Sequence, residues 1–210
     1  MIHGGEIKNP KRPRFREDEI RKIMDRLEGL GVYICPNSDL MGDFVSDEVI
    51  QLHLNMVGAC PRHTFLIHTK SPERLKQWNL KRYKNLWAAT TVEGGDRGRY
   101  DRSYRIDSLR QCNAVNKAVV IEPWLSRFKG VSFKGIQWVI MGSLDDPRDG
   151  LIHPPEEMWV EEVVRDIRRH GGKIWTEKNM GSVFQCREFT LRRNGWGESH
   201  CELYKKGKAF

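Results

Sequence analysis

Ala118-Val119-Val120-Ile121-Glu122-Pro123-Trp124 passes within one peptide bond from an unbroken apolar run to a carboxylate. A strand with one wet face alternates apolar and polar residues. An unbroken β-branched run reads as a strand covered on both faces. Five more such runs occur at intervals of roughly 20 to 30 residues, the rhythm of βα units in a parallel sheet. They are Val32-Tyr33-Ile34-Cys35, Thr64-Phe65-Leu66-Ile67-His68, Leu86-Trp87-Ala88-Ala89-Thr90, Gln137-Trp138-Val139-Ile140-Met141 and Lys173-Ile174-Trp175-Thr176.

Helical patterns lie between most of them. Ile20, Ile23, Met24 and Leu27 share one face of a helix expected over 16–28, ended by Gly29 and Gly31. Ser46-Asp47-Glu48 opens a second, and Ser71-Pro72-Glu73 a third with proline at its first position. A fourth is expected over 102–112. The longest follows His153-Pro154-Pro155 and ends at Gly171-Gly172. The segment between Ile121 and Gln137 has no helical period. The expected fold class is α/β: an incomplete (β/α) barrel of about six parallel strands over 1–181, with a small extension over 182–210. The open edge of such a barrel needs covering by residues 1–15, the last thirty residues or a partner chain.

Loops after the carboxyl ends of parallel strands build the site in such folds. Here each strand ends in polar groups, and the rim candidates are Ser38, Asp39, Thr69, Lys70, Glu93, Glu122, Lys178 and Asn179. Glu122 is the sharpest, because a buried carboxylate is costly unless paired. We expect Glu122 to be buried and paired with a cation, Lys70 or Lys178 being the nearest in kind. Asp39, Lys70, Glu93, Glu122 and Lys178 should surround one mouth.

The chain has 210 residues, enough for one core, and its seven Trp, eight Phe and five Tyr exclude global disorder. A formal charge of +8 fits a nucleic acid or nucleotide partner as well as it fits a solvated basic surface. No apolar run approaches the about 18 residues of a membrane span, and Met1 to Pro10 carries no secretory signal. The five Cys have no paired spacing, which points to reduced thiols in the cytoplasm. Cys186, His200 and Cys201 match no common zinc spacing, so no metal site is expected, and no phosphate loop, dinucleotide fingerprint or hydrolase motif occurs.

Five segments resemble a family in register. Asn37-Ser38-Asp39-Leu40-Met41-Gly42 through Asp47-Glu48 resembles "SMSDLFG-x-VPDE", and Cys60-Pro61-Arg62-His63-Thr64-Phe65 through Arg74 resembles "CPQHTFLxLTKxPER". Asn85 to Glu93 is similar to "NVWLGVSVE", Arg105 to Leu125 to "RIxxLRxxxARVRFVSxEPLL", and Ile136 to Gly142 to "IDWVIxGG". These belong to phage and prokaryotic radical-SAM-like domains of unknown function. The resemblance spans residues 32 to 181 and implies a radical-SAM-like barrel. Gly4-Gly5-Glu6 is similar to the segment that contacts the methionine amino group in such enzymes. Full-length members carry a cysteine triad for a 4Fe–4S cluster that cleaves S-adenosylmethionine. This chain has no triad, so it should bind neither cofactor unless a partner supplies the thiols.

Three functions follow as expectations. The first is a radical-SAM-like component of a phage or mobile element acting on nucleic acid or a nucleotide. The second is a binding module for the same ligands on the same scaffold. The third is metal-assisted hydrolysis at Asp39, Glu93 and Glu122. The sequence leaves enzyme status open.

Overall fold

The computed structural model describes residues 17–95, 97–180, 183–192 and 195–198. Gly4-Gly5-Glu6, His200 and Cys201 lie outside them. Six strands form one parallel sheet: β1 (Gly31–Ile34), β2 (Thr64–Thr69), β3 (Leu86–Val92), β4 (Asn116–Ile121), β5 (Trp138–Met141) and, sixth in the sheet, the strand Lys173–Thr176. Their order follows the chain without reversal, so every unit winds the same way. The sheet curls into a half-barrel instead of forming a doubly wound layer with a switch point. Between β5 and the sixth strand a small hairpin, β6 (Leu144–Asp146) and β7 (Leu151–His153), stands on the rim; the sixth strand is therefore β8. A second hairpin pairs β9 (Phe189–Arg192) with β10 (Gly195–Glu198).

Side chains alternate between the two faces of each strand, and the faces differ. Phe65, Ile67, Leu86, Ala88, Val119, Ile121, Val139, Met141 and Ile174 point outward. The helices α1 (Glu17–Met24), α2 (Asp47–Ala59), α3 (Tyr104–Gln111) and α4 (Glu157–Arg169) supply much of the same outer core. The concave face carries Leu66, Trp87, Ala89, Ala118, Trp138, Ile140 and Trp175. Trp87 and Trp138 meet edge to face at 5.8 Å near the amino ends of their strands, closing the floor of the half-barrel.

Helix bounds depart from the sequence reading in two places. The first helix stops at Met24 because later residues seize its end. Arg62 donates to the Met24 and Arg26 carbonyls, and fully buried His63 joins the Ile23 carbonyl to the Leu30 N–H. Leu27, expected on the core face, is 90% exposed beyond that stop. The third expected helix is instead two 3-10 segments, Pro72–Gln77 and Leu80–Arg82. Asn113 Oδ1 takes the N–H groups of Leu80 and Lys81 at 2.7 and 3.2 Å, bonds that a continuous helix would close on itself. Neither Ser46 nor Ser71 makes a side-chain cap.

At the β8 edge, the segment before β9 runs antiparallel to the strand. Thr176 N–H donates to the Cys186 carbonyl at 2.8 Å, and Glu188 N–H to the Ile174 carbonyl at 2.9 Å. No helix among the described residues is long and apolar enough to cross a membrane.

Candidate functional site

Because the six strands are parallel, their carboxyl ends form one rim. The ladder continues one residue past β4, β5 and β8. Gly142 N–H donates to the Ile121 carbonyl, and Glu177 N–H to the Met141 carbonyl, both at 2.8 Å. Glu122, Gly142 and Glu177 are therefore neighbours in one layer. A Cβ at Gly142 would lie 2.8 Å from the Glu122 carboxyl carbon, so the Glu122 side chain occupies the space glycine leaves. Glu177 is close enough to act on it: burial, then the Glu177 charge, raises the Glu122 pKa above the ordinary carboxylate value.

These carboxylates open on a cavity of about 370 Å³, lined also by Trp175, Thr176, Lys178, Asn179 and Arg187. The Arg187 guanidinium sits 5.4 Å from the centre of the Trp175 ring. Glu122 is exposed, with no hydrogen bond or ion pair among the described residues, contrary to the expected buried pair. The physical reason is the uncovered concave face. A strand-end carboxylate there is only partly stripped of water: the desolvation raises its pKa without demanding a partner as a dry interior would.

The other rim candidates fall into separate places. Asp39 accepts from Thr69 Oγ1 at 2.9 Å, Lys70 N–H at 2.8 Å and Met41 N–H at 2.9 Å, which ties the loop after β1 to the end of β2. Thr69 is buried in that contact, while Ser38 and the Lys70 side chain face solvent. Glu93 pairs with Arg105 of α3 at 3.3 Å. Asn179 grips the Ser143 backbone in both directions at 3.1 Å, holding the loop after β5 against that after β8. So Glu122, Lys178 and Asn179 share the cavity, whereas Ser38, Asp39, Thr69, Lys70 and Glu93 do not line it.

Several groups lie outside the eight rim candidates: Glu177, Trp175, Arg187 and a chain of three on the concave face, although Glu177, His68 and Thr91 belong to the polar strand ends. Tyr33 Oη bonds to His68 Nδ1, and His68 Nε2 to Thr91 Oγ1. Burial lowers the His68 pKa, with Lys70 adding to the effect against Asp39. Burial, then the charges of Asp39 and Glu122, raise that of Tyr33. Strand parity is the signal that finds them. Tyr33 and Leu66 share one inward layer by register, His68 and Ala89 the next, and Thr91 and Val120 the third.

The four described thiols are dispersed through the fold. Cys60, Cys112 and Cys186 are buried in the outer core, and Cys35 is half-buried just past β1 at a φ of 54°. Burial pushes the thiols of Cys35, Cys60 and Cys112 up, which favours the protonated form. Among the described residues the three-member group at ligand spacing is Asp146, Asp149 and His153 on the β6–β7 hairpin, not Asp39, Glu93 and Glu122. In that group Arg148 already holds Asp146, whose pKa falls to about 2.

A curled parallel half-barrel with a polar mouth is thus the class of molecule that fold and site define. The chain belongs to the family described as "Protein of unknown function (DUF5131)", which it matches over residues 3–198. No curated protein and no solved structure matches it.

Proposed function

We propose that the chain is a binding module for a nucleotide, or one nucleotide unit of a nucleic acid, held at the mouth of a radical-SAM-like half-barrel in the cytoplasm. The carrying observation is the cavity's chemistry: the Trp175 ring, the cations Lys178 and Arg187, and the carboxylates Glu122 and Glu177, which have no ion pair among the described residues, in one space. A base stacks on an indole face, ammonium and guanidinium groups take phosphate, and carboxylates accept from ribose hydroxyls or an exocyclic amine. The positive balance of the chain favours an anionic ligand. The sequence carries no closely spaced cysteine triad, which favours binding over radical chemistry within this chain.

Titration with the four common nucleoside monophosphates, followed by tryptophan fluorescence, tests this reading. We expect saturable quenching, weakened at least about fivefold by Trp175→Ala, since base–aromatic stacking contributes about 1–3 kcal/mol. Absence of saturable binding with all four contradicts it.

A second reading keeps the enzyme: a phage or mobile-element component whose partner chain supplies the cysteine triad, the cluster and S-adenosylmethionine. The in-register motifs from Asn37 to Gly142 support it, as does β1, which pairs with β2 alone among the described residues. Purification with the products of neighbouring genes, followed by iron and sulfide analysis, tests that version. Iron-free complexes count against it.

A further inference from the structure

Beside the mouth stands a basic and aromatic strip that the nucleotide site does not use. The loop from β3 to α3 carries Arg97, Arg99, Tyr100 and Arg102, and α3 opens with Tyr104. The loop is docked on residues 125–127, in the segment that follows Glu122. Leu125 N–H donates to the Glu93 carbonyl at 2.8 Å, Gly95 N–H to the Arg127 carbonyl at 3.2 Å, and a Cβ at Gly94 would lie 1.9 Å from Ser126 Oγ. Asp101 gives it shape, accepting from Arg97 N–H at 3.0 Å, Ser103 N–H at 2.9 Å and Ser103 Oγ at 2.7 Å. Arg97 is held there at a φ of 63°, a left-handed conformation uncommon for a residue with a side chain.

The strip presents cations and rings together. Tyr100 and Tyr104 are 42% and 55% exposed. The Arg99 guanidinium lies 5.7 Å from the Tyr100 ring centre. Among the described residues neither Arg97 nor Arg99 has a carboxylate partner. Arg148 of the β6–β7 hairpin is within electrostatic reach of Tyr100. The hairpin's Asp145 and Asp149 would repel phosphate, which confines a polyanion to the loop side.

We infer that this loop is the docking strip for single-stranded nucleic acid, one nucleotide of which enters the mouth; the inference rests on the nucleotide reading above. Charge complementarity supplies the backbone contacts, and the exposed tyrosines supply stacking platforms that only unpaired bases can meet. A duplex hides its bases, and a mouth of about 370 Å³ takes a single unit of a strand.

The test uses the full chain, labelled eight-nucleotide single-stranded DNA and RNA, a duplex of the same sequence, and nucleoside monophosphates. Anisotropy should show one of the single strands bound at least about tenfold tighter than a monophosphate, with affinity falling on the order of tenfold between 50 and 200 mM salt. The combined Arg97→Ala, Arg99→Ala and Tyr100→Ala variant should lose that advantage while monophosphate binding holds. Arg99→Glu alone, on an exposed side chain, checks the same point should the triple variant fold poorly. Single strands bound no tighter than a monophosphate, a preference for duplex, or strip variants without effect overturns the strip and leaves the mouth reading standing. Strand binding that depends on the strip without any monophosphate binding supports the strip and overturns the mouth reading. No binding of either ligand overturns both.

Discussion

Glu122 was the most legible residue of the site, and its surroundings were the least. Its place at the end of an apolar strand follows from the chain alone, because Val119 to Ile121 can only be a covered strand. Whether it is buried depends on how much of the concave face is closed, which no local pattern encodes. The same holds for Glu177: nothing near it in sequence reveals that Gly142 leaves room for Glu122 to approach it. The consequence is measurable. With its folded pKa raised, Glu122 holds its proton more tightly in the native state than in the unfolded chain. Stability therefore falls as pH rises from the unfolded carboxyl value through the folded one, and the loss is complete once the pH is above the folded value. Glu122→Gln cannot ionise. The variant should match the parent in acid and become more stable than it above that window, by less than about 1 kcal/mol because the carboxylate is exposed and screened. Urea melts at a series of pH values check this. A variant less stable at neutral pH would mean that the carboxylate has a stabilising partner.

The strands were readable to within a residue or two, and the helices less so. The apolar centres of β2 to β5 and β8 leave little freedom in where these strands lie. Helix ends depend on tertiary partners that lie far along the chain. Residues 62 and 63 decide where α1 stops, and Asn113 decides that the segment after β2 breaks into 3-10 turns. The β6–β7 hairpin went unread because its strands span three residues each, and β7 is exposed along its length. One contact tests this view. His63 accepts the Leu30 N–H at 3.2 Å and donates to the Ile23 carbonyl at 2.8 Å while fully buried. His63→Ala should cost about 1–3 kcal/mol in urea unfolding, the penalty for stranding buried polar groups, with faster hydrogen exchange across residues 20–31. A loss confined to distant segments would show that α1 is anchored some other way.

Over the whole molecule, the sequential strand order places every strand end on one rim, as the βα rhythm required. It did not gather all five expected rim side chains into one pocket. A curled sheet spreads its strand ends along an arc, and neighbours such as Thr69 and Arg105 claim Asp39 and Glu93 locally. The proposed nucleotide site lies at the β4 to β8 end, among Glu122, Trp175, Glu177, Lys178 and Arg187. Hydrogen exchange by mass spectrometry, with and without a saturating nucleoside monophosphate, tests that placement most directly. Amide exchange should slow across residues 173–180 and in the loops after Ile121 and Met141, and change little in α2. Exchange unchanged at those three segments under saturating ligand, or protection confined to another part of the molecule, would contradict the site.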